Sequence, residues 1–143
     1  MTPFEKFLYL RKSRLPGAGK GLFTGKDIPG GKLIVEYKGR IRKWKEAKPE
    51  DGFNAYLFRL NRKEVVDAKN HLKALGRYAN DARGFGKVKG IRNNSEYVVI
   101  KNKCYIKSIR RISKGEEILV PYGKAYWNLI KKISECNSSA HHK

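Results

Sequence analysis

Gly115-Glu116-Glu117-Ile118-Leu119-Val120-Pro121-Tyr122-Gly123-Lys124-Ala125-Tyr126-Trp127 packs a turn, a pair of carboxylates, a short apolar run and three aromatic residues into one stretch. Ser113-Lys114-Gly115 ahead of it reads as a turn, and Ile118-Leu119-Val120 as a short buried strand. Pro121 has no N–H to give a ladder, so the strand stops there. Tyr122-Gly123 then sets a phenol beside a residue that lets the backbone turn freely. Tyr126 and Trp127 follow at the start of a predicted helix over 125–134. Taken alone, the stretch is equally well an ordinary strand–turn–helix whose aromatics are core.

The rest of the chain sets the bounds. A length of 143 residues suits one domain with its own core. Lysine and arginine exceed aspartate and glutamate by 33 − 13 = 20. That surplus is spread along the whole sequence and favours contact with nucleic acid or with proteins bound to it. Cys104 and Cys136 are the only cysteines; they cannot form a four-cysteine zinc site and read as intracellular thiols. Met1-Thr2-Pro3-Phe4-Glu5-Lys6 lacks the apolar core of a signal peptide. No run approaches the length of a membrane span, and the reading is an intracellular protein.

Short strand patterns alternate with turns. Phe7-Leu8-Tyr9-Leu10 is a predicted strand, followed by a glycine-rich basic loop over 14–21 and a resumed strand at Leu22-Phe23. Asp27-Ile28-Pro29-Gly30-Gly31 is a turn, and Leu33-Ile34-Val35-Glu36-Tyr37 the clearest strand of the first half. Signals over 44–54 are mixed. Tyr56-Leu57-Phe58-Arg59-Leu60 and Glu64-Val65-Val66-Asp67 flank a tight turn and form a hairpin by spacing. A short helix is expected within 72–78 and an exposed basic loop over 82–92. Tyr97-Val98-Val99-Ile100 and Cys104-Tyr105-Ile106 form a second hairpin, which 109–112 continues. No βαβ rhythm appears, so the fold class is mainly β, with small sheets and few short helices.

Single motifs decide little. Gly19-Lys20-Gly21 lets backbone amides approach a ligand closely, yet it lacks the spacing of a phosphate loop or a dinucleotide fingerprint and is equally a plain turn. Gly76-Arg77-Tyr78-Ala79-Asn80-Asp81 offers a side-chain amide able to bond both an ammonium and a carboxylate; an Asx turn after a helix end accounts for it as well. His71 stands alone, and His141 and His142 lie near the end. No histidine joins a serine, cysteine or carboxylate in a hydrolytic order, and no HExxH pattern occurs.

Order and spacing say more. Gly19-Lys20-Gly21-Leu22-Phe23, Glu36-Tyr37-Lys38-Gly39, Val66-Asp67-Ala68 with Gly76-Arg77-Tyr78-Ala79-Asn80, and Gly115-Glu116-Glu117-Ile118-Leu119-Val120-Pro121-Tyr122-Gly123 follow one another as in SET-domain protein lysine methyltransferases. The resemblance covers residues 7–127. It is strongest to the minimal, stand-alone viral and microbial SET proteins without zinc-binding flanks. It implies the SET β-clip, small sheets with a C-terminal pseudoknot that brings Asn80 and Tyr122 together. The expected division is a single SET domain over 1–136 and, from its polar composition, a flexible tail over 137–143.

The same resemblance implies S-adenosylmethionine as cofactor and no metal. Gly19, Lys20 and Gly21 would hold its methionine part by their backbone, Asn80 its ammonium, Asp81 its adenine by backbone, and Trp127 would stack on the adenine. Tyr122 matches the catalytic tyrosine. Tyr37, Tyr56 and Tyr126 would line a channel for the substrate lysine. Where the family usually has Asn-His, this chain has Asn80-Asp81, and Asp81 could favour a cationic sulfonium. The family's usual continuation is replaced by Ala82-Arg83 and a basic loop that rejoins near Asn93-Asn94.

A basic enzyme repels a free basic tail, but phosphates would draw it to a basic substrate carried on DNA. The expected substrates are therefore histones or a DNA-packaging protein, with non-specific DNA contact and a chromatin or nucleoid location, including a host nucleus. The resembling viral enzymes imply a homodimer. Competing readings are a non-catalytic basic nucleic-acid-binding β domain and a degenerate SET module that binds peptide without methylating it.

Overall fold

Short strands with apolar faces and tight turns assemble into small antiparallel sheets in the computed structural model, which describes residues 2–51, 54–83 and 87–122. The first sheet joins β1 (Leu8–Lys12), β2 (Lys20–Thr24) and, late in the sequence, β9 (Glu117–Ile118), with β2 in the centre. The second joins β3 (Leu33–Glu36) to the hairpin of β7 (Ser95–Ile100) and β8 (Lys103–Ser108), with β8 central. The third places β6 (Glu64–Asp67) between β4 (Arg40–Lys43) and β5 (Leu57–Arg59). The expected mainly β architecture is what forms.

Turn chemistry fixes the registers. In the β5–β6 hairpin the Asn61 side-chain oxygen accepts the amides of Lys63 at 2.8 Å and Glu64 at 2.9 Å, an Asx turn that closes the loop locally. In the β7–β8 hairpin Lys101 and Asn102 adopt φ of 50° and 62°. Positive φ at both central residues matches the right-handed twist of the strands.

The main core gathers Leu22, Ile28, Ile34, Val35, Ala79, Ile106, Ile112, Ile118 and Val120 from all parts of the chain. A second cluster of Tyr37, Leu60, Val66, Ala68 and Cys104 lies under the third sheet. Burying such aliphatic side chains supplies roughly 1.5–3 kcal/mol each and makes the sheets one unit.

Several elements differ from the sequence pattern. A single 3-10 turn (Glu5–Phe7) precedes β1, which runs on to Lys12. Arg40-Ile41-Arg42-Lys43 is a strand that the pattern hides, because it is an edge strand whose one apolar residue, Ile41, is exposed. The mixed stretch after it forms α1 (Trp44–Ala47) and a 3-10 turn (Lys48–Glu50). The short helix expected within 72–78 shrinks to a 3-10 turn (Leu75–Tyr78). Close packing limits it: a Cβ on Gly76 would lie 2.9 Å from the Glu36 carbonyl oxygen. The second hairpin stops at Ser108, and Ile112 beyond it forms an isolated bridge with Ile28 instead of extending the ladder.

Glu117 and Ile118 pair with β2, after which the backbone leaves that sheet. Leu119 forms a parallel bridge with Asn80, and the Val120 amide donates to the Asn80 carbonyl at 2.9 Å. On its other side the Leu119 carbonyl accepts the amides of Asn94 and Ser95, both at 3.0 Å. The segment is thus clasped by Asn80 and by Asn94-Ser95, the two ends of the basic loop, which is the pseudoknot arrangement. Ala82 and Leu15 pack on Leu119 from that loop and from the β1–β2 connection.

Candidate active site

The β1–β2 connection, Asn80 and the segment that passes beneath the loop meet at one buried carboxylate. Glu117 is 2% exposed. Its carboxylate accepts the Ser13 hydroxyl at 2.7 Å, the Arg14 amide at 3.0 Å and the Asn80 side-chain amide at 3.4 Å. Ser13 in turn closes the loop, its amide bonding the Gly19 carbonyl at 2.7 Å. Gly21 lies flat on Glu117: a Cβ there would stand 2.3 Å from Oε2. The residue must be glycine for the strand to approach this closely. The Asn80 amide nitrogen also donates to the Lys20 carbonyl at 3.0 Å. Gly19, Lys20, Gly21 and Asn80, widely separated in sequence, are therefore one unit.

Tyr122 joins the same unit. Its amide donates to Asp81 Oδ2 at 2.9 Å, and its hydroxyl donates to the Ala79 carbonyl. Asp81 is 4% exposed and its other oxygen accepts the Arg83 amide at 2.8 Å and Asn93 Nδ2 at 2.9 Å. The carboxylate that replaces the usual histidine is turned inward, where it anchors the backbone of Tyr122 and the ends of the basic loop.

A second cluster carries the tyrosines expected to line a channel. Tyr37, 7% exposed, donates its hydroxyl to the Tyr56 carbonyl at 3.1 Å. Its ring packs edge-on against Tyr97 at 5.9 Å and tilted against Phe58 at 6.3 Å. The Arg77 guanidinium lies 4.3 Å over the Tyr56 ring, a cation–π contact. The Tyr56 amide is held by Asn54 Oδ1 at 3.0 Å, and Asn54 reaches Asp67 Oδ1 at 3.2 Å.

Asp67 belongs to an ion-pair network beneath this cluster. Arg42 donates from Nη1 to Asp67 Oδ2 and to Glu50 Oε1, each at 2.9 Å, and from Nη2 to Glu50 Oε2. The Arg42 guanidinium, with help from Asn54, holds Glu50 down at about 2. Burial alone would push the Asp67 carboxyl up, but the Lys69 amide, Asn54 and Arg42 together outweigh it and hold Asp67 below its ordinary range. Glu50 and then Asp67 hold the Arg42 proton more firmly than usual. Nearby, burial and Glu36 push the Cys104 thiol up to about 12, so it stays protonated and packs as a small apolar group.

The stretch Gly76-Arg77-Tyr78-Ala79-Asn80 ties the two clusters together. Gly76 packs on Tyr37, Arg77 covers Tyr56, Ala79 receives the Tyr122 hydroxyl, and Asn80 bonds the Lys20 carbonyl. Tyr126 and Trp127, with the helix expected over 125–134 and the tail, lie outside the described residues. Glu117, Ser13, Asn54 and Arg42 are not singled out by the sequence. Only Glu117 leaves a signal there, as a carboxylate leading directly into an apolar run.

The SET domain family model matches residues 19–123. The chain belongs to the SET-domain family. It is 32% identical over 147 aligned positions to histone-lysine N-methyltransferase EZH2 of Chaetomium thermophilum, covering 94% of this chain and 9% of that protein. It is 30% identical over 127 positions to human histone-lysine N-methyltransferase 2D, covering 85% of this chain and 2% of that protein. Among solved structures, the Chaetomium thermophilum Polycomb repressive complex 2 in an autoinhibited conformation bound to S-adenosylmethionine superposes with a TM-score of 0.62 at 28% identity, covering 92% of this chain and 17% of that one. An inhibitor-bound humanised mutant of the same complex gives 0.63 at 28% identity, covering 87% and 16%. The SET domain of this chain thus spans a small part of the relatives it matches.

Proposed function

We propose that this SET domain is an S-adenosylmethionine-dependent protein-lysine N-methyltransferase acting on basic proteins carried on DNA, histones among them. The observation that carries the proposal is the Gly76–Asn80 stretch. It holds Asn80 at one end and an aromatic cluster at the other. The Lys20 carbonyl and the buried Glu117 carboxylate take up the Asn80 side-chain amide and so fix the half-buried Asn80 beside the glycine-rich β1–β2 connection. An asparagine held there suits a ligand that carries an ammonium.

When bound, the cofactor supplies an electrophilic methyl carbon. The chain's own work is to deliver a neutral lysine amine in line with it. Lysine is protonated in neutral water. Tyr37 and Tyr56, backed by Phe58 and Tyr97, form a desolvating wall that favours the neutral amine, and the Arg77 cation over Tyr56 adds to that preference. Tyr122, fixed at its amide by Asp81 and at its hydroxyl by Ala79, orients the reacting groups; this is proximity catalysis rather than acid–base chemistry. Tyr126 and Trp127 would complete the channel and the adenine site.

The charge of +20 supports a substrate held on DNA. Lys87 and Lys89, both exposed in the basic loop, would touch phosphates. Calorimetry with S-adenosylmethionine in the absence of nucleic acid tests the reading against that of a basic nucleic-acid-binding domain. Stoichiometric binding is expected, and no binding would overturn the proposal. DNA binding should weaken steeply as salt rises; salt-independent binding, or none at low salt, would remove the DNA contact.

A further inference from the structure

A cavity of about 80 Å³ opens where the β1–β2 connection, the end of the basic loop and the β8–β9 connection meet. Each segment contributes one exposed arginine to its wall: Arg14, Arg92 and Arg110. The cavity adjoins the site described above only through Arg14 and Glu117; Gly19, Gly21, Asn80, Asp81 and Tyr122 do not line it. Glu116 and Glu117 also stand in the wall, but their oxygens are engaged. Glu117 takes the Ser13 hydroxyl, the Arg14 amide and the Asn80 amide. Glu116 accepts the Ser113 amide at 2.8 Å and pairs with Arg110 at 3.7 Å. Arg14 and Arg92 have no carboxylate within ion-pair distance among the described residues.

Two uncompensated guanidinium groups at one small cavity repel each other, and an anion between them removes that repulsion. The volume is well below the roughly 300 Å³ at which small-molecule pockets begin, so it suits a single group rather than a whole nucleotide. Guanidinium forks match phosphate oxygens. We propose that this cavity takes one phosphodiester group of a DNA backbone, and that the bound phosphate strengthens cofactor binding. Lys87 and Lys89, exposed on the same loop as Arg92, carry the positive surface past the cavity to neighbouring phosphates, which a free phosphate ion does not offer. The inference rests on the reading of the chain as a methyltransferase of substrates carried on DNA.

The coupling follows from what the arginines are attached to. The Arg14 amide donates to Glu117 Oε1 at 3.0 Å, and the preceding Ser13 amide bonds the Gly19 carbonyl at 2.7 Å. Arg14 thus sits in the connection whose backbone would receive the cofactor. Arg92 is followed by Asn93, which donates to Asp81 Oδ1 at 2.9 Å. Next comes Asn94, which donates to the Glu117 carbonyl at 2.8 Å and accepts the Leu119 amide at 3.0 Å. A phosphate spanning Arg14 and Arg92 therefore fixes the β1–β2 connection against the segment that leads to Tyr122. Phosphate and cofactor favour the same arrangement, so each raises the affinity of the other by the same factor.

Calorimetry with S-adenosylhomocysteine, with and without a saturating short DNA duplex at low salt, measures that factor. DNA should raise the wild-type affinity about fivefold or more, and S-adenosylhomocysteine should raise the DNA affinity equally. For Arg92→Gln the affinity without DNA should stay within about twofold of wild type, while the increase caused by DNA disappears. Lys87→Gln removes one charge from the same loop outside the cavity; it should weaken DNA binding and keep the increase at saturation. Inorganic phosphate at the same phosphate concentration should have less effect than the duplex. An affinity unchanged by DNA, an increase that survives in Arg92→Gln or is lost equally in Lys87→Gln, or inorganic phosphate as effective as the duplex would each overturn the proposal. Melting temperatures test the cavity without cofactor: saturating duplex should raise the wild-type value more than that of Arg92→Gln, and equal rises would remove the phosphate site. Wild-type protein that binds no S-adenosylhomocysteine, with or without DNA, would instead sink the functional reading, and the melting comparison would still decide the phosphate site.

Discussion

Two carboxylate networks flank the stretch that joins the halves of the site, and they are built on different physics. At one end Glu117 is buried and satisfied by neutral donors from the β1–β2 connection and from Asn80. At the other, Glu50 and Asp67 share Arg42 at the edge of the third sheet, where the Glu50 side chain is 39% exposed. In the first network a hydroxyl, a backbone amide and a side-chain amide each meet a carboxylate oxygen. The second is a charge cluster in which Arg42 and Asp67 are mostly covered and Glu50 reaches solvent, so pH and salt reach it from the Glu50 side. In the proposed function the knot end would bind the cofactor, while at the sheet end Asp67 holds Asn54, which holds the Tyr56 amide.

The sharpest break at the knot end is Tyr122→Phe. The fold keeps its shape because the ring and the Asp81 bond to the Tyr122 amide remain. Loss of the hydroxyl removes the bond to Ala79 and the orientation it gives. Turnover should fall on the order of a hundredfold, with S-adenosylmethionine binding and melting temperature close to wild type. Wild-type turnover would remove Tyr122 from the mechanism.

A smaller effect is expected at the sheet end. Glu50 and Asp67 both ionise more readily in the folded chain than at their ordinary values of 4.5 and 3.8. Their contribution is therefore complete above those values and is lost as pH falls toward about 2, where Glu50 takes up its proton. Arg42→Met should lower the melting temperature near neutral pH, and the gap between variant and wild type should close through that acid window. Added salt should narrow the gap as well. A gap independent of both pH and salt would mean that the network acts by packing rather than charge.

The difference between the two ends also decides what was legible in the sequence. Gly19-Lys20-Gly21, Asn80 and Tyr122 were readable because each is a local motif in a fixed order, and the structure gathers them. The β5–β6 and β7–β8 hairpins were readable because turn residues and apolar alternation agree there, whereas the pairing of β3 with β8 joins segments far apart in sequence. Glu117 was visible only as one of a pair of acidic residues: its burial comes from contacts with Ser13 and Arg14, roughly a hundred residues earlier. Arg42 was hidden in a basic edge strand with an exposed isoleucine. Nothing in the sequence around Asp81 shows that its side chain turns inward, because its partners Asn93 and Tyr122 come from distant segments.

The smallest expected effect falls on product distribution. Tyr126 stands just before the tryptophan expected to stack on the cofactor. A hydroxyl there would restrain rotation of a methylated amine, so the wild type should stop at mono- or dimethyl-lysine. Tyr126→Phe should shift products toward higher methylation with little change in the first transfer. Mass spectra at matched first-methylation turnover read this directly, and an identical product ratio would leave Tyr126 as a packing residue.

Methyl transfer to lysine can be followed by an isotope carried on the methyl group. The protein is incubated with S-adenosylmethionine carrying a deuterated methyl group and with histones or other DNA-associated basic proteins. Digests are then read by tandem mass spectrometry, with Tyr122→Phe protein run alongside. Deuterated methyl groups are expected on the side-chain nitrogen of lysine in the wild-type reaction, strongly reduced with Tyr122→Phe. Label absent from lysine, or equal in both reactions, would contradict this expectation.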